Sequence, residues 1–365
     1  MQATRKHIPD AQIVGPSFSR SYGCDTPVGP CSGGTGADGK WNPSSPNGTW
    51  DGSACAGVPP VTGVPDKLCG LSPSHNTTMR RFLEFGVQNQ RLPDVLSWHE
   101  WSSDLTFLPD HVADVMRYLK ATPEVRIRGI SINEAFRADD YLKPGASVAA
   151  FANVEAAARL ASPLPVTLVK TNMGHGSLDG SIIGSQSASI WNLSEGLRGI
   201  YHTHVGYADL SGELLSLPPI SPSSSGDGVG IAALASIDNT TQTARLLLGL
   251  YEDASAKHWT NKTQLPTQLE IQLSNVPAEL LNAAGKLHAT VTTILDTEQP
   301  AAHAAFPGPV VSHVVIAPTI VERSAAVFSL RLAVPADGGY CSMKPAMALV
   351  RGCLPAWSVE LHAGV

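Results

Sequence analysis

At Pro218–Ser225 (PPISPSSS) the texture of this chain changes, and that change limits its fold more than any single motif. Before it, Ala11–Gly15, Asp94–Trp98, Val125–Ile132 and Val166–Val169 read as strands. Thr77–Phe85, Pro109–Leu119, a segment capped by Ser147 and running to Leu160, and Leu197–Tyr207 read as helices. In Pro109–Leu119 the residues Val112, Val115, Met116 and Leu119 fall at helical spacing. Gly212 is a suitable stop for the last helix. Strand–helix alternation argues for parallel βα units, of which residues 11–212 hold four. A closed barrel needs eight. Beyond the linker come short β-rich runs separated by turn residues: Val229–Ile237, Arg245–Tyr251, Leu269–Leu273, Leu287–Ile294, Val310–Ile316 and Val327–Val334. That pattern predicts an antiparallel β-sandwich. The expected fold class is therefore α/β plus all-β, divided into residues 1–217 and 218–365.

The chain has 365 residues, 43% hydrophobic and 15% charged, enough apolar content for packed cores. The net charge of −6 and the lack of a basic run give no nucleic-acid footprint. No apolar stretch is long enough for a membrane span. Residues 20–75 are rich in Gly, Pro, Ser and Cys, show no period, and read as a long irregular insertion. Cys24, Cys31, Cys55 and Cys69 lie in that region, Cys341 and Cys353 near the other end. Two even-numbered clusters without a CxxC spacing suggest local disulfides, and no metal or cofactor is expected. With N-x-S/T sequons at Asn47, Asn76, Asn192, Asn239 and Asn261, they favour a secreted or lumenal protein. The segment MQATRKHIPDAQIVGP has a positive start but no apolar h-region of signal-peptide length, so the leader is expected to be missing from this sequence.

In a βα barrel the side chains at the carboxyl ends of the strands meet on one face, and that face holds the active site. His99 and Glu100 follow the Asp94–Trp98 strand, Asn133 and Glu134 follow Val125–Ile132, and Asn172 and His175 follow Val166–Val169. A carboxylate at a strand end beside aromatic groups is equipment for stabilising or attacking an oxocarbenium-like centre. Trp98, Trp101, Phe136 and Trp191 could supply apolar faces to a sugar ring. Successive strand residues point to opposite faces, so His99 and Glu100 cannot both face inward, and His99 is the preferred one. His202 and His204 fall on a predicted helix, where an i,i+2 pair does not share a face; a packed histidine is expected there rather than a metal pair. Trp41 and Trp50 in the insertion either stack on sugar or form the small core of a disulfide-tied loop.

Four segments in order carry a family resemblance: PDAQIVGPS (Pro9–Ser17), LPDVLSWHEW (Leu92–Trp101), ISINEAFRADDYLKPG (Ile130–Gly145) and YADLSG (Tyr207–Gly212). Together they resemble the second half of a clan A retaining glycosidase, most like glycoside hydrolase family 39, the β-xylosidase and α-L-iduronidase-like enzymes. The resemblance implies strands 5–8 of a (β/α)8 TIM barrel followed by a β-sandwich, acting on a carbohydrate or glycoside substrate. It gives Glu134 the role of nucleophile at the end of strand 7, and places His99 in the substrate subsite at the end of strand 6.

Three departures accompany it. The family's acid/base glutamate belongs to an Asn-Glu-Pro motif, and no such tripeptide occurs in this sequence. Lys170-Thr171-Asn172 stands where the family often has a tryptophan after strand 8, and the insertion at 20–75 is additional. The expectation is a truncated chain, lacking strands 1–4 and its acid/base group; the alternative is a non-catalytic remnant or carbohydrate-binding protein.

Overall fold

The structure is a computed structural model. It describes residues 12–18, 34–35, 41–42, 82–83, 85–100, 105, 108–135, 144–168, 199–217, 229–252, 268–295, 309–321, 325–334 and 355–364. The chain divides into two compact units: Met1–Arg137 with Asn153–Met173, and Ala138–Ala152 with Gly174–Val365.

In the first unit a parallel sheet has the order β1-β4-β5-β6, from Val14–Phe18, Val95–Glu100, Gly129–Ala135 and Val166–Leu168. The two-residue strands β2 (Gly34–Thr35) and β3 (Trp41–Asn42) pair antiparallel within the insertion. β1 starts three residues later than expected and includes Pro16. Proline cannot donate to a ladder and is tolerated here because, among the described residues, β1 pairs on one side only. β5 is also displaced from the expected Val125–Ile132, so Asn133 and Glu134 belong to the strand itself. Asp94 ties the amino ends together. Its carboxylate accepts from Ile13 N at 2.8 Å, and its carbonyl accepts from Arg128 N at 2.6 Å.

Helix α1 (Leu108–Ala121) joins β4 to β5 and buries Leu108, His111, Val112 and Val115. Asp110 in its first turn and Lys120 in its last complement the helix dipole. Register sorts the sheet into rows. Leu96 with Ile130, and Trp98 with Ile132, fill one face; Ser97, Ser131 and Thr167 line up on the other. Burial on both faces is the normal state of a parallel sheet and makes β4 buried almost throughout.

The second unit holds a six-stranded antiparallel sheet of order β12-β11-β15-β9-β8-β7. Its strands are Val310–Ile316, Leu287–Ile294, Ala356–His362, Thr243–Glu252, Val229–Asp238 and Glu213–Leu214. A three-stranded sheet, β10-β14-β13 (Gln268–Ser274, Ala325–Ala333, Pro318–Val321), shares its core. Leu246, Leu248 and Leu250 of β9, with Trp357, Val359 and Leu361 of β15, pack against Leu269, Phe328, Leu330 and Leu332 from the smaller sheet. Each such side chain contributes about 1.5–3 kcal/mol by leaving water.

Strands alternate their side chains, so Leu247 faces the other way. It meets Val148, Ala149 and Phe151 of helix α2 (Pro144–Ala161). The first nine residues of α2 belong to this unit and its remainder to the other. Ser147, expected as a cap, lies inside α2 and is buried. Helix α3 (Gly199–Ala208), expected with the first domain, also counts in this unit. Its glycines explain this: Gly206 lies against Leu247 and Ser358, and Gly199 against the carbonyl of Leu295. After α3, Arg245 Nη1 donates to Ser211 Oγ at 2.9 Å, and Ser211 Oγ donates to Asp238 Oδ2 at 3.0 Å. Hydrogen bonds from Thr240 N–H, Ser211 Oγ–H and Thr241 N–H hold the Asp238 carboxyl below its ordinary range. The YADLSG segment thus locks onto the β8–β9 hairpin.

Candidate functional site

β4 and β5 run in parallel, and their carboxyl ends carry five of the expected site residues: Trp98, His99, Glu100, Asn133 and Glu134. His99 and Glu134 are register partners. Neighbouring strands lie about 4.8 Å apart, so these two positions stand side by side at the end of the sheet. On the face of β4 that carries His99, the hydroxyl row Ser97–Ser131–Thr167 runs below it.

Trp98 and Glu100 are placed differently from their expected role. Both are buried on the α1-facing side of the sheet. Glu100 Oε2 accepts a hydrogen bond from Trp98 Nε1 at 3.1 Å and lies 2.8 Å from His111 Nδ1 on α1. Two-residue periodicity causes this: once His99 takes one face, Trp98 and Glu100 must take the other. Neither side chain lies on the face of β4 that carries His99. His111, which no sequence reading singled out, completes this buried cluster; its i,i+1,i+4 companions Val112 and Val115 were the only signal that this face of α1 is buried.

Trp101, Phe136, Asn172, His175 and Trp191 lie outside the described residues, as do all six cysteines. The histidines of α3 are packed ones. His204 Nδ1 lies 2.9 Å from the carbonyl of Ile200, one turn back, and its ring meets Phe151 edge-on at 5.1 Å. Burial pushes both His202 and His204 below the usual histidine range; for His204 the bond to Ile200 opposes the shift. Among the described residues no three His, Cys, Asp or Glu side chains converge as a metal site, and no helix is long and apolar enough to cross a membrane.

The arrangement offers one carboxylate-bearing position and one imidazole on adjacent strand ends. That equipment suits nucleophilic attack on an electrophilic carbon, with the histidine binding a neighbouring hydroxyl.

No protein-family model matches the chain, and no curated protein matches it. Solved structures do. A protein from Neocallimastix frontalis aligns with a TM-score of 0.54 at 16% identity, over 100% of this chain and 63% of that one. A glucosidase from Croceicoccus marinus aligns at 0.46 and 10% identity over 79% of this chain and 57% of that one, and an arabinofuranosidase at 0.42 and 12% over 81% and 60%. This chain therefore spans less than two thirds of the length of these structures, and the first of them shares its fold.

Proposed function

We propose that this chain is part of a retaining O-glycosidase of the clan A type, most like family 39, with Glu134 as nucleophile. In this reading the parallel sheet supplies strands 5–8 of a (β/α)8 barrel and the two antiparallel sheets form the β-sandwich that follows it. The observation that carries the reading is the register of Glu134 beside His99 at the carboxyl ends of adjacent parallel strands. The ordered motifs support it independently.

The Glu134 carboxylate attacks the anomeric carbon, forming a glycosyl ester as the glycosidic C–O bond breaks. A second carboxylic acid gives its proton to the departing oxygen. Water, deprotonated by that same group, then releases the sugar with retained configuration. Retention sets the two carboxyl groups about 5–5.5 Å apart. Glu100 does not qualify, because it is bonded on the opposite face; the acid comes from residues beyond these strands. His99 and Asn133 bind sugar hydroxyls, with Trp101, Phe136, Asn172, His175 and Trp191 completing the walls. The sequons and cysteines fit a secreted glycoprotein with local disulfides.

The test is labelling with a 2-deoxy-2-fluoro glycoside carrying a good leaving group, followed by peptide mapping. An adduct on Glu134 is expected; an adduct on another residue refutes the assignment. The missing Asn-Glu-Pro favours a second reading, a carbohydrate-binding protein without catalysis. Saturable binding of oligosaccharides, with neither labelling nor hydrolysis of aryl glycosides, would establish it.

A further inference from the structure

Between Trp98 and His99 the ladder to β5 skips a residue. Trp98 pairs with Ile132 and His99 with Glu134, so Asn133 has no counterpart on β4. Without this bulge the register would set Asn133 beside His99 and Glu134 beside Glu100. Two carboxylates would then lie about 4.8 Å apart on neighbouring strands, in a row whose preceding members, Trp98 and Ile132, are fully buried. Like charges that close and that dry repel strongly.

The buried row is already claimed by Glu100. Its side chain is 1% exposed, it accepts from Trp98 Nε1 two residues before it, and it meets His111 Nδ1 of α1. Those two bonds grip the strand on either side of the bulge: Trp98 is the last residue in regular register and Glu100 the second beyond it. A bulge commonly re-aims a side chain next to a functional site.

We propose that Glu100 is a positioning residue: its bonds to Trp98 and His111 hold the end of β4 in the bulged register that sets Glu134 beside His99. Its importance for catalysis rests on the glycosidase reading of Glu134, whereas its hold on the register does not.

Register is read directly by cross-linking in the full chain. Partners on neighbouring strands fall within the Cα separation that a disulfide spans. The His99→Cys/Glu134→Cys pair should cross-link under mild oxidation, as identified by peptide mapping, and the His99→Cys/Asn133→Cys pair should not. Adding Glu100→Leu should reverse this preference, and Glu100→Gln, which keeps an acceptor oxygen, should leave it in place. If Glu100→Leu does not fold, His111→Leu removes one of the two bonds from outside the strand and is read the same way. In the chain with native His99 and Glu134, Glu100→Leu or His111→Leu should slow fluorosugar labelling about a hundredfold, the scale of a misplacement of about 1 Å. A cross-link pattern unchanged in a folded Glu100→Leu or His111→Leu variant overturns the proposal. A register that responds as expected in a chain that no fluorosugar labels would instead count against the glycosidase reading alone.

Discussion

Gly249 of β9 and Gly145 of α2 meet backbone to backbone: a Cβ placed on Gly249 would stand 2.7 Å from the carbonyl oxygen of Gly145 and 2.8 Å from its Cα. Gly145 is equally constrained, since its own Cβ would run into the backbone of Leu250. The helix therefore starts in contact with the strand itself rather than with its side chains.

Gly249→Ala should destabilise the chain by about 2–3 kcal/mol, the cost of overpacking where backbone rather than a flexible side chain must yield. Urea unfolding checks this, with a lowered midpoint and an unchanged slope. Alanine at Gly285, where a Cβ would meet nothing, is a contrasting control: its φ of +68° strains the backbone but no contact is crowded.

Phe328 is buried between the two antiparallel sheets, among Leu246, Leu248 and Trp357. Phe328→Ala should cost about 3–5 kcal/mol, through lost transfer energy and a cavity. Phe328→Leu should cost distinctly less. Calorimetry of the two variants under one buffer would show the order.

His204 gives a pH dependence whose sign is determined by its surroundings. Burial lowers its folded pKa below the reference value of 6.5. Above about 6.5 the imidazole is neutral folded and unfolded, so its contribution to stability is whole; as pH falls further the unfolded chain takes the proton first and stability declines. His202 acts in the same direction. His204→Leu should therefore flatten the loss of stability on acidification. Thermal melts at a series of pH values below about 7 test it; an unchanged slope would refute it.

Asn239 lies exposed in the turn between β8 and β9, with Thr241 two residues on as the hydroxyl of its sequon. Expression through a eukaryotic secretory route should put a glycan on the tryptic peptide containing it. Asn239→Gln should remove that mass and leave the fold intact, because the neighbouring Asp238 holds the turn through Thr240 N at 2.8 Å.

Where periodicity reports burial, the fold was readable from the sequence. Helix α1 follows from Val112, Val115, Met116 and Leu119, and β11 and β12 have the boundaries expected from their β-rich runs. β15 was missed although Trp357, Val359 and Leu361 alternate with Ser358, Glu360 and His362. Its neighbours, β9 and β11, are remote in sequence, so nothing local marks it as a central strand. At the candidate site, counting from strand ends did not give the face each side chain takes. The parity that turns His99 one way turns Trp98 and Glu100 the other, and the bulge at Asn133 then breaks simple counting on β5. No propensity encodes that bulge; it emerges from pairing between strands and from a carboxylate already anchored by a helix.

The place of Ala356–His362 between β9 and β11 has a consequence for biosynthesis. Until those seven residues leave the ribosome, the β8–β9 hairpin and the β11–β12 pair on the nascent chain have no bridge between them. Each presents an apolar ribbon with an open edge, a natural target for chaperones and a hazard for self-association. A chain stalled or cut before Ala356 would keep every residue of the parallel sheet yet accumulate as insoluble material.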